Sequence, residues 1–276
     1  MLRPSLTFLL LFGPFYLAAA FWDGLWGTVI LSSFPLVLLM LAGVIGEQVL
    51  ICYFRGKKTS QAKVKSLTEF CHLVQHLSFE YSIKRPHLYF FNSAEMNSLA
   101  LKGFFGPGSI LVNEKLLERL SIGEKKALIS YSMESIKNNA AFCRMLSSFF
   151  KYVLLLLIRP FILLEKYLLN LIGKNERYIG PIYLATIGPA TSLFSKLLAP
   201  KNQIFRVDNS LSKKLGPDYA SCMSKISNMA IDPTINETLF NELFFVDSAA
   251  NQNAFSTFGC TPSTKERARR ISENFL

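Results

Sequence analysis

From Leu6 to Phe54 the only acidic residues are Asp23 and Glu47, and there is no lysine or arginine at all. A soluble domain cannot build its water-facing surface from such a stretch, so this feature restricts the fold more than any other. Asp23-Gly24 divides it into two runs. Leu6 to Trp22 has about the length of one bilayer crossing, and Leu25 to Phe54 is longer than one crossing needs. The pattern predicts an N-terminal transmembrane helical hairpin over residues 1–54. A cleaved signal peptide competes for the first run, with Ala18-Ala19-Ala20 resembling a cleavage site. Signal peptides, however, are not followed at once by a second full-length apolar run.

Charge gives the orientation. Arg3 precedes the hairpin, Arg55, Lys57, Lys58, Lys63 and Lys65 follow it, and the turn carries no basic residue. Basic residues stay on the cytoplasmic side, so both termini are expected in the cytoplasm, of a bacterial inner membrane in this reading. The net charge of +11 is accounted for by anionic lipid headgroups. No helix-turn-helix, zinc knuckle or aromatic-basic repeat points to nucleic acid. The five cysteines, Cys52, Cys71, Cys143, Cys222 and Cys260, are odd in number with no CxxC pair, which fits reduced cytosolic thiols.

Beyond the hairpin, Val64, Leu67, Phe70, Val74, Leu77 and Tyr81 recur at helical spacing over 61–82. His87 to Phe91 and Ser109 to Asn113 read as strands around a Gly106-Pro107-Gly108 turn. Helices are expected over Glu114 to Leu120 and from Ser121, which forms a capping box with Glu124. That second helix runs through Ile136 and toward the next apolar segment. Phe149 to Ile172 is apolar but holds Arg159, Glu165 and Lys166, and Ile179 to Ser195 is uncharged. These segments are expected as a second apolar hairpin. The fold class is thus a mainly α membrane protein with a zincin-like (gluzincin) α+β cytosolic domain. Its parts are 1–54, a first peptidase-like half over 55–143, the inserted hairpin over 144–199, and a second half over 200–276.

The zincin assignment comes from four stretches in order. They are Met96-Asn-Ser-Leu-Ala-Leu-Lys-Gly103, Ala127 to Asn138, Ile204-Phe-Arg-Val-Asp208, and Phe255-Ser-Thr257 with Pro262 and Arg267. Together they resemble the membrane zinc metallopeptidases of the HtpX and CAAX prenyl protease family. In their order they are similar to its Asn-Ala-Phe-Ala strand, its HExxH helix, its Glu-Tyr-x-Ala-Asp helix and its closing Ser-Thr-His-Pro segment. The resemblance implies zinc, held by two histidines one helical turn apart and a glutamate from a second helix, with the HExxH glutamate as general base.

Those groups are replaced here. Tyr131 and Ser135 stand at the histidine positions, Ser132 at the catalytic glutamate and Ile204 at the glutamate ligand. A neutral phenol and a serine hydroxyl are poor zinc ligands, and isoleucine offers no lone pair. Moving the register to Glu134 does not help, because its ligands would be Met133 and Lys137. No catalytic residue, no metal and no cofactor are therefore expected. Asp208 matches the family's aspartate that orients a ligand histidine, and the resemblance implies a hydrogen bond between Asp208 and the Tyr131 hydroxyl. The alternative has Asp208 paired on a polar helix face, with Arg206 or a nearby lysine.

His72 and His76 are four apart on a helix, the spacing of a metal pair, but fall off its apolar face. His87 opens a strand without an evident partner, and Cys143 reads as a reduced buried thiol. Glu47 is either functional within the membrane or snorkels beside Arg55. The functional expectation is a pseudopeptidase in membrane protein quality control. It binds extended peptides along Asn97, Ser98, Leu99 and Ala100 by main-chain pairing, and its partners are lipids, unfolded or membrane protein segments, or an active paralogue. The alternatives are an active zinc metalloendopeptidase with other ligands, such as His72 and His76, or a small transport component with Arg159 and Glu165 lining a path.

Overall fold

Strands buried on both faces need cover on both sides, and this sets the layers of the domain. The computed structural model describes residues 37–58, 67–92, 96–171, 196, 198, 201–229, 243–245 and 262–273. Helix α1 covers 37–53 and leads to β1 (Lys57–Lys58), α2 (Leu67–Glu80), β2 (His87–Phe91), β3 (Ser98–Leu101) and β4 (Ser109–Asn113). Helices α3 (Glu114–Arg119), α4 (Ile122–Lys137), α5 (Ala140–Leu171), α6 (Lys201–Leu215), α7 (Pro217–Met229) and α8 (Thr264–Glu273) follow. The sheet order is β1-β2-β4-β3, with β2 and β4 parallel and both edge pairings antiparallel.

Alternation along the strands divides the core in two. Leu88, Phe90, Ala100, Ile110 and Val112 point toward α2, α4, α6 and α7. Tyr89, Phe91, Leu99, Leu101 and Leu111 point the other way, onto Leu50 and Ile51 of α1, Met145 of α5, and Leu243-Phe244. A third cluster joins Ala42 of α1 to Leu146 and Phe149 of α5. The expected strands β2 and β4 are present with the expected bounds. Gly108 (φ +83°) precedes β4, and a Cβ there would lie 2.8 Å from the Leu101 carbonyl, so only glycine fits.

Helix α4 begins as its sequence predicts. The Ser121 hydroxyl accepts from the Glu124 N–H and the Glu124 carboxylate accepts from the Ser121 N–H. It does not continue into the next apolar segment. Asn138 caps it and Asn139 turns left-handed (φ 56°) before α5 starts, a conformation asparagine tolerates better than most residues.

Among the described residues no helix is long and apolar enough to cross a membrane. The first apolar run, the Ile179 to Ser195 segment and Cys260 lie outside the described residues, and Leu25 to Phe54 is described from residue 37 onward. In α5 most side chains up to Lys151 are buried, Phe142, Cys143 and Phe150 being half-buried, and Leu156, Leu163 and Tyr167 are exposed.

Glu47 does not snorkel. Its carboxylate accepts from the Gly103 N–H (2.9 Å) and from the Ser109 hydroxyl (2.5 Å), which fastens the foot of α1 to the sheet domain.

Candidate functional site

The residues singled out in the sequence for the ligand and catalytic positions lie on two helices, α4 and α6. Helix α4 carries Tyr131, Ser132 and Ser135, and α6 carries Ile204 and Asp208 one turn apart; all are buried. The Ser132 hydroxyl donates to the Leu128 carbonyl of its own helix (3.2 Å). The buried Ser135 hydroxyl has no hydrogen-bond partner. Glu134 accepts from the Asn138 amide (2.8 Å) within its own helix turn.

Asp208 is not bonded to Tyr131, which corrects the sequence expectation, nor to Arg206 or a lysine. Arg267 of α8 reaches it from 59 residues away with a two-pronged grip: Nε donates to Oδ2 at 2.8 Å and Nη2 to Oδ1 at 2.7 Å. The Tyr219 hydroxyl of α7 donates to Oδ1 at 2.5 Å. The third Arg267 nitrogen, Nη1, donates to the Phe245 carbonyl. Asp208 is 2% exposed and Arg267 3%. Two charges removed from water this fully persist only when paired and hydrogen-bonded on most of their polar atoms, and this pair meets that requirement. Burial alone would lower the Arg267 pKa; the Asp208 carboxylate overrides it and holds the guanidinium well above its ordinary value. Burial and then the Asp208 charge push the Tyr219 phenol well above 10.0, so it remains a donor.

Tyr131 has other company. Its hydroxyl accepts from Arg144 Nη1 of α5 (3.1 Å). The Arg144 and Arg267 guanidinium carbons lie 5.5 and 5.4 Å from the centre of its ring, within cation–π range. Phe245 packs edge-on against Tyr131, with ring centres 4.7 Å apart, and against Tyr219 at 6.0 Å. Arg144 is 2% exposed and its Nη2 has no partner.

Zinc does not fit this donor set. Tyr131, Ser135 and Ile204 offer a phenol, a hydroxyl and no lone pair, beside two guanidinium cations that would repel a dication. The aspartate nearby has both oxygens engaged. The three histidines of the chain, His72, His76 and His87, are all exposed, and none belongs to the site. Among the described residues no group of three or more His, Cys, Asp or Glu is placed to hold a metal ion. Cys143 is half-buried, and burial raises the pKa of the Cys222 thiol.

The strand expected to take peptides is β3, at the sheet's edge, with Asn97 just before it. Its outer side is already paired. Phe244 lies opposite Leu99 in antiparallel register, and the Phe245 N–H donates to the Ser98 carbonyl at 2.8 Å. The Ser98 N–H is held by the Asn97 side chain (2.9 Å). Arg159 is exposed on α5. The sequence reading missed Arg144, Tyr219 and Phe245 altogether and treated Arg267 only as a motif marker.

No protein-family model matches the chain, and no curated protein matches it. Among solved structures it is similar to the crystal structure of S. mikatae Ste24p. That similarity has a TM-score of 0.43 at 15% identity and covers 97% of this chain and 64% of that one. A TM-score under 0.5 does not establish a shared fold, so the functional reading rests on the chain's own residues.

Proposed function

We propose that this chain is a membrane-anchored, catalytically inert relative of the HtpX and CAAX prenyl metallopeptidases that acts by association. The observation that carries the reading is the Asp208–Arg267 pair. Both Asp208 oxygens are engaged, by Arg267 and Tyr219, and the Arg267 guanidinium stands as a second cation against the Tyr131 ring. Peptide hydrolysis by the family's route needs a metal-bound water and a carboxylate base, and Ser132 and Ile204 supply neither. The two apolar runs support anchoring, with both termini in the cytoplasm of a bacterial inner membrane.

Association in this reading means holding extended segments of unfolded or membrane proteins, or of an active paralogue, along β3. Such a segment takes the place that residues 243–245 hold. The reading is tested with purified full chain, loaded with zinc, incubated with an unfolded membrane protein and assayed by gel and mass spectrometry. The expected result is no cleavage, with Tyr131→Phe indistinguishable from the parent. Zinc-dependent cleavage overturns it. For the strand, a labelled peptide with the Leu243–Phe245 sequence should bind more tightly when Phe245→Ala loosens the resident segment, and Ser98→Pro should weaken that binding. No response to either change removes β3 as the contact.

A further inference from the structure

The turn between β3 and β4 ends in an apolar tip with a polar base. Phe104 is 43% exposed and Phe105 79%. Behind them the Lys102 ammonium donates to the Ile136 carbonyl (3.0 Å) and the Asn139 side chain (2.7 Å). These ties fasten the base of the turn to the end of α4, where Lys137, Asn138 and Asn139 face solvent.

The tip is also fixed in height against α1. The Phe104 N–H donates to the Gly43 carbonyl (2.8 Å), and the Phe104 ring covers Gly43 so closely that a Cβ there would lie 1.9 Å from it. One residue earlier, the Gly103 N–H is bonded to Glu47. Phe104 also stacks obliquely on Phe142 of α5, with ring centres 5.2 Å apart. At this height the surface of α1 changes character. Val37, Met40, Leu41, Val44 and Ile45 are exposed large apolar residues, and Gln48 is the first exposed residue after them.

We infer that Phe104 and Phe105 form a wedge that enters the boundary between headgroups and acyl chains of the bilayer, level with Gly43 to Glu47. The inference rests on the membrane-anchored reading above and adds where the bilayer ends. Two observations select lipid as the occupant. The tip is seated on α1 at Gly43, next in sequence to the exposed apolar Val44 and Ile45, and the exposed Lys137 at the adjoining end of α4 suits anionic headgroups.

The test uses the full chain with Trp22→Phe and Trp26→Phe, reconstituted in vesicles of three parts phosphatidylcholine to one part phosphatidylglycerol. Single tryptophan reporters at Phe105→Trp, Val44→Trp and Ile122→Trp are read with lipids brominated near the top of the acyl chain. Ile122 is exposed at the far end of α4 and reports bulk water. The expected result is quenching of Phe105→Trp at least half that of Val44→Trp, with Ile122→Trp unquenched. If Val44→Trp is quenched while Phe105→Trp behaves like Ile122→Trp, the wedge is wrong and the membrane reading stands. If none is quenched, the membrane reading fails and the wedge with it. A Phe105→Trp shielded from both bromolipid and aqueous acrylamide means a protein partner or second copy covers the tip, which also overturns the inference.

Discussion

Asp208 and Glu47 are both buried carboxylates, and they are held in opposite ways. Asp208 faces a full positive charge in Arg267 and a phenol in Tyr219. Glu47 faces only neutral donors, the Gly103 N–H and the Ser109 hydroxyl. The first arrangement ties α6, α7 and α8 together. The second ties one helix to one turn. In each case the cost of leaving the partner bare, rather than the contact itself, decides how much a substitution costs.

The largest effect is expected at Arg267. Arg267→Met leaves Asp208 buried without a counter-charge and should cost about 3–5 kcal/mol in denaturant unfolding of the detergent-solubilised chain. Adding Asp208→Leu should recover more than half of that loss, because two apolar groups of similar volume avoid the desolvation penalty. If the double variant is no better than the single, the pair is not the source of the cost.

Glu47→Ala comes next, at about 2–3 kcal/mol, because it strands two buried donors. Glu47→Gln keeps an acceptor for Gly103 and should cost about 1 kcal/mol. Equal losses for Gln and Ala would mean that the charge itself matters there, and the contrast with Asp208 would collapse.

Tyr219→Phe removes one donor from a charged acceptor and should cost about 1.5–2 kcal/mol at neutral pH. Because the folded phenol titrates above 10.0, the stability it provides is complete below pH 10 and lost as pH rises through the folded value. The phenylalanine variant should therefore show less alkaline destabilisation than the parent above pH 10.

The smallest effect is expected at the α4–α7 contact. Lys225 is 40% exposed and pairs with Glu124 at 3.0 Å, so Lys225→Ala should cost only about 0.5 kcal/mol. Burial by itself would raise the Glu124 pKa, but the Ser121 N–H, Lys225 and Ser221 outweigh it and the net shift is downward from 4.5. This contribution is present above pH 4.5 and is lost as pH falls through the lower folded value. Lys225→Ala should shrink that acid loss.

What could be read from the sequence was whatever depends on near neighbours. The Ser121–Glu124 capping box, the bounds of β2 and β4, and the solvent exposure of His72 and His76 all follow from spacing within a few residues. The partner of Asp208 could not be found that way. Arg206 and the nearby lysines are its sequence neighbours, yet the partner lies 59 residues on, brought in by the packing of α8 against α6 and α7. Phe245 was invisible for the same reason: its role depends on returning to β3 after nearly 150 residues of chain. Strand β1 is two lysines and carries no apolar signal. Glu47 was legible as an anomaly but not as an anchor, because its two donors belong to a turn more than fifty residues away.

The central claim is that Tyr131, Ser135, Ile204 and Asp208 do not hold a metal. Zinc content of the full chain after loading and exhaustive dialysis, by plasma mass spectrometry, tests it most directly, with a His72→Ala/His76→Ala variant run alongside. The account predicts near-zero zinc in both proteins. Close to one zinc per chain in the parent, retained in the double variant and lost in Asp208→Asn, would place a metal at the site now assigned to Arg267 and would contradict it.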